Sequence, residues 1–152
     1  MERLKSEEGQ TLVEFALVLP ILLILVIGIF DFGSAFNSKN SLNFLANSAA
    51  RFAEVNSCAP CAPGQSIEDY VKSTGDTPSL RGPDTHITFC LANPGKKGVG
   101  DPLQVSATTT FNWLVGTNLP GLPNGSAALK STVTVRILTA PDNTLYTPAN
   151  SC

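Results

Sequence analysis

The sequence predicts an α+β protein: one long N-terminal helix, partly transmembrane, packed on a small antiparallel sheet. Three observations predict it. An uncharged apolar run lies near the start. A helical periodicity continues beyond it, with no proline between positions 33 and 56. Three later segments alternate apolar and polar residues at period two. A helix laid on a sheet covered on one face is α+β layering.

The composition narrows the function classes. The 152 residues make one domain's worth of chain, and only 14% of them are charged, against about 25% in a soluble domain. A net charge of −2 lacks the basic footprint of a nucleic-acid binder. His86 is the single histidine, which excludes a multi-histidine metal site and most acid–base relays. No nucleophile–histidine or paired-carboxylate arrangement is present, and residues 95–100, GKKGVG, lack the phosphate-loop spacing and lie between two strands. The reading is therefore of a non-enzymatic chain with no catalytic residue, no metal site and no cofactor.

The apolar run comes first in the chain. Positions 15–30 read FALVLPILLILVIGIF, and Leu12 to Phe36 extends this to 25 residues, interrupted by Glu14 and Asp31. As a helix rising 1.5 Å per residue, that length spans a hydrocarbon core of roughly 30 Å. Pro20 is tolerated better in a membrane helix than in a soluble one. A cleaved signal peptide fits poorly, because the start carries three acidic residues against Arg3 and Lys5. A plain anchor gives no reason for Glu14, since a carboxylate in hydrocarbon costs several kcal/mol.

A third reading accounts for Glu14. Gly9 is followed by Gln10-Thr11-Leu12-Val13-Glu14-Phe15 and then the apolar run. This resembles prepilins, which have a short hydrophilic leader ending in Gly, with Glu five residues on and an aromatic next. The wider stretch GQTLVEFALVLPILLILVIGIFDFG, with 47–53, NSAARFA, and more loosely 132–136, TVTVR, resembles the TadE-like family of tight-adherence (Flp) pilus systems. The resemblance implies a pseudopilin cut after Gly9 by a prepilin peptidase, with Glu14 neutralising the new amino group on Gln10 of a neighbouring subunit. A charge costly in lipid is tolerable when paired. It also implies partners: the Flp-type major pilin, a TadF-like pseudopilin, and the inner-membrane platform with its ATPase. The orientation follows from the resemblance too, with 1–9 a cytoplasmic leader, 10–36 the transmembrane and assembly helix, and 37–152 outside the bacterial inner membrane. Basic residues do not fix it independently, since Arg3 and Lys5 on one side face Lys39 and Arg51 on the other. Asp31 marks the outer edge of the span.

Beyond the membrane, Phe36, Leu42, Phe44, Leu45, Ala49, Ala50, Phe52 and Ala53 fall mainly near one helical face. The helix is expected to run unbroken to about position 56. Four prolines and three glycines make 57–84 a loop, with a short helix at 66–72 capped by Ser66 and Asp69 in the capping-box position. Strands are expected near 85–91, 103–111 and 129–138. A long connection carries Trp113, which is read with Phe111 as core filling. The end, 140–152, reads as a tail.

The cysteines are Cys58, Cys61, Cys90 and Cys152. An even number outside the inner membrane points to two structural disulfides. Three connectivities are open; two of them send Cys58 and Cys61 separately to Cys90 and Cys152, tying the helix end to the first strand. Two other readings compete with the pilus reading. One is an uncleaved single-span adhesion or binding module. The other is a periplasmic thiol–disulfide protein using Cys58 and Cys61, although this CxxC follows a helix instead of opening one.

Overall fold

A computed structural model describes residues 3–113, 125–141 and 144–149, with side chains from Gly9 onward. The chain divides into two compact units, one of residues 1–35 with 112–126 and one of 36–111 with 127–152.

The first unit is dominated by the helix α1, Arg3–Glu54, which starts here and ends in the second unit. It begins ahead of Gln10 because the leader is made of residues that suit a helix, Gly9 being the one weak position. Pro20 lies inside it. The large apolar side chains from Leu12 to Phe32 are exposed, from 36% at Leu19 and Ile27 to 73% at Phe30. Asp31 departs from this at 8% exposure.

The second unit holds the core. Leu42, Leu45, Ala46, Ala49, Ala50 and Ala53 of α1 are buried against the sheet and the short helices. The expected face is right except at Phe36 and Phe44; Phe52 packs against the core. Phe44 is 59% and Phe36 66% exposed, because at 100° per residue Phe44 falls roughly opposite the Leu42–Ala53 stripe. Small residues at 46, 49, 50 and 53 let the helix approach the sheet closely. The helix ends on Asn56, at φ 45°. The Asn56 amide donates to the Ala53 carbonyl (3.2 Å), and that of Ser57 to Phe52 (3.1 Å). This is the Schellman pattern, with its left-handed position filled by Asn instead of Gly.

The helix α2, Ile67–Ser73, is capped as the sequence predicts: Ser66 Oγ accepts from the Asp69 amide at 3.1 Å and donates to the Asp69 carboxylate at 2.7 Å. A four-residue helix, α3, Pro78–Arg81, was expected to be loop. It is too short to show periodicity, but Thr77 before Pro78 is a start signal, since proline suits the first helical position.

Three strands follow, β1 His86–Leu91, β2 Pro102–Asn112 and β3 Ser126–Arg136, forming an antiparallel sheet in the order β1-β2-β3. Pairs Ile87↔Ala107, Phe89↔Val105 and Leu91↔Leu103 line the inner face. The outer face carries hydroxyls, with Thr88 opposite Ser106 and Ser106 3.3 Å from Thr132. Residues 144–149, within the expected tail, are packed down. Ala149 bridges Cys90 in parallel and closes the edge of β1, and the Tyr146 hydroxyl donates to the Ala53 carbonyl at 3.0 Å. Covering an edge removes unpaired ladder groups from solvent, which is the physical reason for this departure.

Candidate functional site

The Gly9–Gln10 peptide lies inside α1, among exposed residues. A Cβ built on Gly9 meets nothing within 4 Å, so neither packing nor backbone conformation requires glycine there. Its local effect is to weaken the helix, by about 1 kcal/mol relative to Ala. One turn on, Gln10 Nε2 donates to Glu14 Oε1 at 3.3 Å. Phe15 beside it is 61% exposed. The structure thus brings Gln10 and Glu14 together on one helical face, within a stretch whose apolar side chains have no cover in the single chain.

The cysteines resolve the open connectivity. Cys58 is bonded to Cys61, with Cα atoms 5.3 Å apart, so neither bridge from the helix end to β1 forms. Adjacent partners are favoured locally because the Cys61 amide donates to the Cys58 carbonyl at 3.1 Å, a turn that brings the two side chains together. Cys90 is disulfide-bonded as well, and Cys152 lies outside the described residues. The bridged CxxC sits between α1 and α2, where no helix N-terminus supports a thiolate.

Other candidates take structural roles or lie open. His86 is exposed, as expected of a polar-face residue. The Lys39 ammonium donates to the Lys130 carbonyl, tying helix to sheet. Phe111 and Trp113 are half-buried, while the connection at 114–124 lies outside the described residues. A cavity of about 460 Å³, which the sequence did not signal, is lined by Ser66, Glu68, Phe89 and Tyr146 among others. Two of its polar side chains are occupied: Ser66 caps α2, and Glu68 accepts from the Ile87 amide at 3.3 Å and pairs with Lys72 at 4.0 Å.

Fold and site define a class: among the described residues, one helix is long and apolar enough to cross a membrane, and the chain continues into a small α+β domain. More particularly, residues 9–51 match the family described as TadE-like protein. The resemblance read from the sequence is met over that span, which begins at Gly9 and stays within α1; the looser likeness at 132–136 falls outside it. No curated protein and no solved structure matches the chain. The family match associates the chain with tight-adherence (Flp) pilus systems.

Proposed function

We propose that this chain is a non-enzymatic minor pilin, or pseudopilin, that acts in assembly of a tight-adherence pilus. The observation that carries the reading is that the family match starts at Gly9, the residue after which a prepilin peptidase would cut. The chain is inserted in the inner membrane with residues 1–9 in the cytoplasm and the α+β domain outside. Cutting leaves the apolar helix attached and frees an amino group on Gln10. Glu14, one turn along, offsets that cation when helices of several subunits pack side by side. The apolar side chains of α1 from Leu12 to Phe32, exposed in the single chain, then gain partners. Those partners are the Flp-type major pilin, a TadF-like pseudopilin, and the inner-membrane platform with its ATPase.

The test is the N-terminal sequence and intact mass of the protein taken from its native membrane, beside a Gly9→Ala variant. A start at Gln10 that disappears in the variant is the expected result. A start at Met1 replaces this reading with the uncleaved anchor. A start near Phe36 makes the chain a secreted domain.

A further inference from the structure

We propose that the cut after Gly9 creates a self-modifying terminus, in which the freed amine of Gln10 closes on its own side chain to a pyroglutamyl end at a rate that Glu14 restrains. The inference rests on the processing reading above and goes one step past it.

The chemistry needs no second reactant. The α-amino nitrogen of Gln10 attacks its own Cδ. The N–Cδ bond forms, the Cδ–Nε2 bond breaks, and Nε2 leaves as ammonia with the proton that the amine gives up. The product is a five-membered lactam, and the terminal cation is gone. In the uncut chain the same nitrogen is a peptide amide without a nucleophilic lone pair, so the reaction waits for the cut.

Two features of the structure make Glu14 the controlling residue. Its carboxylate holds the nitrogen that must depart, through the 3.3 Å bond from Gln10 Nε2. The same bond keeps the Gln10 side chain extended along the helix toward residue 14, away from its own main-chain nitrogen that must attack. Both effects slow ring closure. The consequence is a terminus with two fates: as an ammonium it can pair with a carboxylate of a neighbouring helix, and as a lactam it cannot. Glu14 thereby prolongs the interval in which the cut chain carries the charge used in assembly.

The experiment follows the full chain in cells that contain the peptidase. After peptidase induction, protein is taken from membranes at successive times, quenched cold, and its intact mass and N-terminal peptide are measured. The expected wild-type result is a chain starting at residue 10, first with a free amine and then short of one ammonia. Glu14→Ala and Glu14→Gln should lose ammonia several-fold faster, and Gln10→Ala should keep its free amine throughout. A wild-type chain that starts at Gln10 and keeps a free amine at every time overturns the proposal while the processing reading stands. Equal cyclisation in wild type and both Glu14 variants overturns the role of Glu14. A start at Met1 removes the processing reading and this inference together. Where a Glu14 variant is not cut, the wild-type time course alone decides whether the ring forms.

Discussion

Asn56 is the residue on which α1 turns into the following loop, and it holds a left-handed conformation at φ 45°. Its Oδ1 is buried without a hydrogen-bond partner among the described residues. Asn tolerates that conformation better than other residues with a Cβ, and Gly tolerates it best. Asn56→Ala should therefore lower stability by about 1 kcal/mol, whereas Asn56→Gly should match or exceed wild type. Chemical denaturation of both variants checks this, and an Ala variant as stable as the Gly variant would remove the strain argument. A second residue-level expectation concerns Tyr146. Its hydroxyl donates to the Ala53 carbonyl at 3.0 Å in a buried setting. Tyr146→Phe removes one of the two donors to that carbonyl, leaving the Asn56 amide, and should cost about 1 kcal/mol without moving the ring that packs 4.7 Å from Phe89. Gly9 is a contrasting case. The Cβ of Gly9→Ala meets open space, so any loss of processing in that variant reports on the peptidase's requirement and not on a misfolded chain.

At the scale of elements, α1 has two unlike halves. The first presents apolar side chains outward, and the second buries leucines and alanines against its own sheet. Within the second half, the alanines at 46, 49, 50 and 53 set how closely helix and sheet approach. Ala49→Leu forces extra methylenes into a site with no exposure and should destabilise by about 1–3 kcal/mol. Leu45→Ala opens a void at an equally buried position and should cost about 2–5 kcal/mol. Thermal unfolding of the two variants tests whether the face is as tightly filled as its burial indicates; a neutral Ala49→Leu would show slack. The Cys58–Cys61 bridge closes a loop of few residues. In the chain-entropy account, stabilisation grows with loop length, so Cys58→Ser with Cys61→Ser should cost about 2 kcal/mol or less. A larger loss would mean that the bridge positions Cys58, which packs against the core cluster.

For the whole molecule, the distribution of burial makes a prediction about partition. Every residue of the core cluster belongs to the second unit, and the exposed apolar run belongs to the first. The full chain should require detergent or membrane. A chain starting at Phe36 should stay in aqueous solution and unfold cooperatively, because it keeps every residue of that cluster. Sedimentation with and without detergent, followed by a melting curve, measures both. Aggregation of the shortened chain would show that its exposed Phe36 and Phe44 need the first unit or a partner.

Local chemistry in the sequence determined most of the secondary structure and the candidate site. The uncharged run length made a membrane-capable helix, period-two alternation made the strands, Ser66 made the start of α2, and Gly9 with Glu14 five residues on made the processing reading. These are near-neighbour properties, so they survive without knowledge of the fold. Tertiary structure decided what depends on residues far apart in the chain. It buried Asp31 and sent Lys39 to the Lys130 carbonyl. It drew the last segment onto the edge of β1, because an open edge leaves ladder groups unpaired. It paired Cys58 with Cys61, a choice among three that spacing left open, since pairing is settled by which sulfurs the folded chain brings within bonding distance.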